Sequence, residues 1–293
     1  MSLRLLMMQK VIRFLTLRAD NGEIDVAASR RTVARMERRL RLSRGVTAIE
    51  EQVAGVPVRR YSSGGTTPGK VLHLHGGAYF CGSSQMGRRY SGVTTDGGPD
   101  MVSVDYRLAP EHPYPAALED AIAVYRALAT EPVAVVGDSA GGGLALALVQ
   151  RVRDEGLPLP VGLAVYFPWA DLTQSGASYL VNAGRDMLTK EGLDRSALLY
   201  TAGHDPLDSG VSPLTGSFAG FPRAMITVGT ADSLLDDARK VAAALRVGGA
   251  PLTLLEIPGA FHGFTMLPVP EARNAIQTVN EFLRWCLRSA DGQ

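Results

Sequence analysis

The stretch Val133 to Gly143, VAVVGDSAGGG, constrains this chain more than any other. Four consecutive small apolar residues read as a strand buried on both faces, and the next five, Gly137-Asp138-Ser139-Ala140-Gly141, satisfy G-x-S-x-G before a helical pattern begins. A serine on so sharp a strand-to-helix turn must adopt a strained backbone, and bulky flanking side chains would collide with the neighbouring strand or helix. Glycines at the flanks answer that demand, and the turn aims the helix N-terminus at the hydroxyl. A phosphate-cradling turn fits less well: no lysine follows at the G-x-x-x-x-G-K-[ST] spacing, and G-x-G-x-x-G fails because its sixth position, counted from Gly141, is Leu146. The pattern is short, so a chance match stays open on this stretch alone.

The surrounding chain repeats the strand-helix rhythm. KVLHLH (70–75), MVSVDY (101–106), VAVVG (133–137), GLAVYF (162–167), AMITVG (224–229) and LTLLEI (252–257) are short apolar runs, and helical patterns separate most of them. Continuously apolar strands joined by crossover helices predict an α/β fold with a mostly parallel central sheet flanked by helices. The rhythm breaks from Trp169 to about Phe221, where only a helical piece over Lys190 to Thr201 is legible. An insertion this long between strands is usually functional, often a lid. Two helices are expected before the first of these strands. In the earlier one, Leu3, Leu6, Met7, Val11, Phe14 and Leu15 fit one apolar face; in the later one, roughly Asp25 to Arg41, Val26, Val33, Met36 and Leu40 do. The expected division is 1–45 for N-terminal helices contributing to a cap, 46–168 for core, 169–221 for a cap insertion and 222–293 for core.

Composition excludes several classes. A formal charge of +1 across 293 residues gives no global attraction to nucleic acid or an anionic membrane. The arginine-rich run SRRTVARMERRLRLSR reads as the solvated face of a helix, with Arg30, Arg31, Arg35, Arg38, Arg39 and Arg41 largely off its apolar side. Cys81 and Cys286 make no disulfide framework, which fits a reducing compartment and a cytoplasmic location. The opening MSLRLLMMQKVIRFLTL is interrupted by Arg4, Lys10 and Arg13 and lacks a small-residue cleavage site, so it reads as a retained helix rather than a signal peptide, and no stable membrane insertion is expected.

In a parallel sheet, ligands meet the protein at the carboxyl ends of strands. After KVLHL comes His75-Gly76-Gly77-Ala78-Tyr79-Phe80, a loop whose backbone N–H groups, with that of Ala140, could hold a tetrahedral oxyanion. His73 and His75 alternate onto one strand face, but no third ligand is near, so no metal is expected. Of the histidines after Ser139, His262 follows the last strand while His204 lies in the insertion; of the acids, Asp232 follows AMITVG directly while Asp205 has no strand before it. A nucleophile-acid-base order of Ser139, Asp232 and His262 results. Asp236 and Asp237 read as polar positions of the following helix, and Arg107 and Glu111 as internal ties.

Together HGGAYF, DYRLAPEHPYPAALED, GDSAGG, DSLLDD and FHGF resemble the bacterial hormone-sensitive lipase family of α/β-hydrolase esterases, from about Lys70 to the C-terminus. The resemblance implies an α/β-hydrolase fold with a helical cap, Ser139 as nucleophile, His262 as base, Asp232 as its partner, Gly77, Ala78 and Ala140 as oxyanion donors, Gly76 as support for that loop, and frequent homodimers. It implies a carboxylesterase for short- to medium-chain acyl esters, needing no cofactor. An amidase or arylformamidase on the same scaffold is the alternative; a non-catalytic receptor, as in the related gibberellin receptors that lack the histidine, is disfavoured by His262. Two positions depart from the family pattern: Ala78 where a third glycine is usual, and Ser233 where proline is usual, the second expected to affect only a turn.

Overall fold

The structure, a computed structural model, describes residues 2–16 and 24–290, with the side chains of 10–16 left undescribed. One eight-stranded sheet runs in the order β1-β2-β4-β3-β5-β6-β7-β8. Its strands are β1 (Thr47–Val53), β2 (Val56–Ser62), β3 (Lys70–Leu74), β4 (Asp100–Val104), β5 (Val133–Asp138), β6 (Gly162–Tyr166), β7 (Ala224–Gly229) and β8 (Leu252–Ile257). Flanking it are α1 (Leu3–Thr16), α2 (Val26–Glu37), α3 (Gly87–Tyr90), α4 (Ala116–Leu128), α5 (Ala140–Asp154), α6 (Ser178–Val181), α7 (Lys190–Thr201), α8 (Leu235–Val247) and α9 (Pro270–Ala290).

Strands β3 to β8 pair in parallel, as their continuous apolar runs predict. Leu72, Val135, Leu163 and Ile226 are wholly buried at its centre. Burying each such side chain contributes about 1.5 to 3 kcal/mol before the entropy of ordering is counted.

The antiparallel pair β1 and β2 was not among the expected strands. They join through Ala54 and Gly55, both at positive φ, in a two-residue hairpin, and β2 then pairs antiparallel with β4. TAIEEQV lies at the sheet edge and is mostly exposed, so it carries acids instead of an apolar run. Glu50 pairs with Arg59 and Glu51 with Arg60 across the two strands.

The N-terminal helix corrects its expected face. Leu5 is wholly buried and Met8 packs on the core, whereas Leu3 and Met7 are exposed; the side chains of Val11, Phe14 and Leu15 lie outside the described residues. Apolar residues at five of positions 3 to 8 leave the periodicity without a unique inward side. The anchor decides, through hydrogen bonds from the Ser2 backbone and hydroxyl to Glu271 at the start of α9.

Helix α2 lays Val26 and Val33 against Phe80, Cys81 and Ala109. Its Arg30 is not part of the solvated face: Nε donates to the Phe80 carbonyl at 2.8 Å, a terminal nitrogen donates to the Ala109 carbonyl at 2.9 Å, and the guanidinium pairs with Glu111. Arg31, Arg35, Arg38, Arg39 and Arg41 are exposed as expected.

Among the described residues the segment between β6 and β7 contains helices and no strand. It folds back over the carboxyl ends of the strands. Tyr200 stacks on Tyr79 with centroids 3.7 Å apart, and its carbonyl accepts the Tyr114 N–H at 2.8 Å. Ser178 Oγ donates to the Ser233 carbonyl at 2.7 Å.

Candidate active site

Ser139 occupies the turn between β5 and α5 at φ 56° and ψ −122°, outside the regions comfortable for an L-residue. Its backbone is pinned by three hydrogen bonds: its N–H to the Tyr166 carbonyl at 2.9 Å, and its carbonyl accepting from Trp169 at 2.9 Å and Gly143 at 3.1 Å. Such pinning offsets strain of about 1 to 3 kcal/mol. A Cβ at Gly141 would run into the Leu74 and His75 carbonyls, so only glycine lets α5 approach β3 this closely.

The imidazole of His262 meets that hydroxyl. Its Nε2 lies 2.8 Å from Ser139 Oγ, while Nδ1 lies 3.2 Å from each carboxylate oxygen of Asp232. Both residues hang in loops just past β7 and β8, and Phe167 meets the His262 ring edge-on at 4.7 Å. Asp232 is fully buried, and its Oδ1 also accepts the Leu234 N–H at 2.8 Å. Burial by itself lowers the basicity of His262. The facing charge and hydrogen bond of Asp232, then the charge of Asp186, outweigh it and leave the imidazole's pKa raised.

Opposite lies the loop Gly76-Gly77-Ala78. Gly77 has φ 124° and Ala78 has φ 51°; a Cβ at Gly77 would strike the Cys81 carbonyl. A left-handed alanine costs about 1 to 2 kcal/mol, so Ala78 holds a conformation that glycine would take freely. Gly76 abuts Asp138 and Ser139, where an added Cβ would crowd both. None of the N–H groups of Gly77, Ala78 and Ala140 has a hydrogen-bond acceptor among the described residues. With the N-terminal dipole of α5, they form a patch of unspent donors suited to a developing negative charge.

The remaining candidates fall elsewhere. His73 Nδ1 bonds Ser103 Oγ at 2.7 Å, and His75 Nδ1 bonds the Gly76 carbonyl at 2.8 Å while its ring stacks on Tyr106. No group of three or more metal-ligating side chains occurs among the described residues. His204 packs edge-on against Tyr114, and Asp205 caps an exposed turn through the Leu207 N–H at 2.9 Å. Arg107 clasps Asp120 and Glu111 takes Arg30, so both are ties. Cys81 is buried behind the loop, its thiol donating to the Gly77 carbonyl at 3.1 Å, and burial pushes its pKa up to about 12.

The surroundings of Asp237 and Asp186 are not legible in the sequence. Asp237 lies in the first turn of α8, the polar helix position expected of it, but it is wholly buried and accepts the Ala170 and Asp171 N–H groups, each at 3.0 Å. Burial pushes its pKa up to about 8. Asp186, in the loop before α7, is equally buried; Oδ1 accepts the Met187 N–H at 2.7 Å and the His262 N–H at 2.8 Å, and Oδ2 accepts the Ser233 N–H at 2.7 Å. The Ser233 departure thus affects more than a turn, since proline would offer no donor there. Local spacing could not reveal either acid, because apart from Met187 the partners named here lie 47 to 76 residues away.

Residues 71–266 match the model of a family described by the alpha/beta hydrolase fold. The chain is 42% identical over 223 residues to an acetyl-hydrolase of Streptomyces hygroscopicus, covering 73% of this chain and 75% of that protein. It is 30% identical to the putative acetyl-hydrolase LipR of Mycobacterium tuberculosis, covering 100% of this chain and 98% of the relative. A crystal structure of an esterase from the bacterial hormone-sensitive lipase family superposes with a TM-score of 0.90 at 33% identity, covering 98% of this chain and 99% of that one.

Proposed function

Since this chain belongs to the bacterial hormone-sensitive lipase family of the α/β-hydrolase fold, a family of ester hydrolases, we propose that it is a serine carboxylesterase for short- to medium-chain acyl esters. The observation that carries the reading is the line from Ser139 Oγ through His262 to Asp232, with contacts of 2.8 Å and 3.2 Å. His262 Nε2 takes the hydroxyl proton as Oγ attacks the ester carbonyl, and Asp232 stabilises the imidazolium that forms. Charge building on the carbonyl oxygen is met by the N–H groups of Gly77, Ala78 and Ala140, with Gly76 keeping the loop close. His262 then gives its proton to the leaving alkoxide, and an acyl-Ser139 ester remains. Water activated by the same imidazole attacks that ester, the Oγ bond breaks, and Ser139 recovers its proton.

Short acyl groups are favoured by the names of the two relatives, an acetyl-hydrolase and a putative acetyl-hydrolase. The insertion 169–221 and α2 act as the cover of the site, a role supported by the Tyr200 stack on Tyr79 and by the packing of Val26 and Val33 on Phe80. Excluding water there strengthens each contact to the oxyanion. The test is hydrolysis of p-nitrophenyl acetate, butyrate, octanoate and palmitate beside the matching anilides. Turnover should be highest from acetate to octanoate, and Ser139→Ala should abolish it. Anilides cleaved as fast as esters, or palmitate as the preferred substrate, would overturn the proposal.

A further inference from the structure

We propose that Asp186 is a positioning residue through which the insertion sets both the geometry and the basicity of His262; this rests on the triad reading above. The geometry is unusual for a carboxylate that touches no reacting atom. Asp186 is wholly buried, and no cationic side chain bonds it among the described residues. Its three partners are backbone N–H groups, at 2.7 to 2.8 Å, on three loops: its own, the one following Asp232 and the one carrying His262. Bonds from backbone to a charged acceptor are about twice as strong as neutral ones, and fixing the main chain fixes where the side chain begins. Asn182, four residues earlier, adds a bond from Nδ2 to the Asp232 carbonyl at 2.8 Å. Through Asp186, Asn182 and Ser178 the insertion therefore holds the acid loop, and through Asp186 it also holds the histidine loop.

The charge has a second consequence. His262 is faced by Asp232, Asp186 and Asp138, and Asp186 in turn by Asp232 and His262. Three acids around one imidazole hold it more basic than Asp232 alone would. The cost falls on Asp186, whose own pKa is pushed up to about 6 by burial and by the Asp232 charge.

Asp186→Asn keeps the size and an acceptor for His262 but removes the charge and turns an amide donor toward the Ser233 N–H. Ser233→Pro removes that one N–H and no charge, while Ser233→Ala keeps it. The experiment is the pH profile of kcat and kcat/KM on a short-chain ester for all three variants, each checked for folding by circular dichroism. For Asp186→Asn we expect kcat to fall at least about tenfold with KM within about twofold, and the acid limb of kcat/KM to move down by about one pH unit. Ser233→Pro should lower kcat with the limb unmoved, and Ser233→Ala should match the parent. A folded Asp186→Asn protein with unchanged kcat and acid limb would overturn the proposal. If that variant does not fold, full kcat in folded Ser233→Pro would overturn it. Failure of the triad reading looks different: Ser139→Ala would then keep the parent's activity.

Discussion

Ser139 and Ala78 face each other across the site with positive φ angles of 56° and 51°, and neither strain is relieved by a glycine. The flanking glycines marked the first in the sequence, and the family resemblance marked the second as a departure from the third glycine of the loop. Between Asp232 and Asp205 the sequence favours Asp232, because strand ends concentrate functional side chains and only Asp232 follows a strand. The two residues now have different surroundings: one is buried 3.2 Å from His262 and the other caps an exposed turn. Asp232→Asn should cut kcat by about three to four orders of magnitude, since an amide disturbs the imidazole tautomer and cannot balance its charge. Asp205→Asn should leave kcat within about twofold. Steady-state kinetics of the two variants on one ester checks this, and equal losses would contradict the assignment. Asp186 stayed invisible because a carboxylate that accepts backbone N–H groups from distant loops leaves no periodicity and no motif.

At the level of elements, legibility followed hydrophobic pattern. Strands β3 to β8 were found because burial on both faces demands unbroken apolar runs, whereas β1 hid because an edge strand is stabilised by cross-strand charge pairs. Helix α2 was found but its chemistry was misread at one place. Arg30 reaches across to the carbonyl of Phe80, two residues past Ala78, and to that of Ala109, and Glu111 holds the guanidinium in place. The pair depresses the Glu111 pKa to about 2, chiefly through the hydrogen bond from Arg30. Arg30→Ala should therefore loosen the loop that presents the Gly77 and Ala78 N–H groups, lowering kcat about tenfold while the melting temperature falls little; losing an oxyanion donor outright costs a hundredfold or more. Kinetics and a thermal melt on the same preparation test it. An unchanged kcat would mean that α2 covers the site without shaping it.

Across the whole molecule, the described residues divide into a sheet whose mostly parallel character could be anticipated and covering segments whose docking could not. Parallel strands joined by crossover helices have few ways to pack, so the pattern implied the architecture. Docking of α1, α2 and the insertion adds long-range polar contacts to apolar packing, such as Ser2 with Glu271 and Asp186 with Ser233 and His262, and those arise only in three dimensions. No described helix is long and apolar enough to cross a membrane. Everything converges on one hydroxyl. The most direct measurement is therefore reaction of the intact protein with a p-nitrophenyl phosphonate, followed by intact mass and peptide mapping, beside His262→Ala as a control. The account predicts one adduct per chain, located on Ser139, with inactivation in proportion to labelling and far slower labelling in the His262 variant. An adduct on another residue, or full esterase activity after complete modification of Ser139, would contradict it.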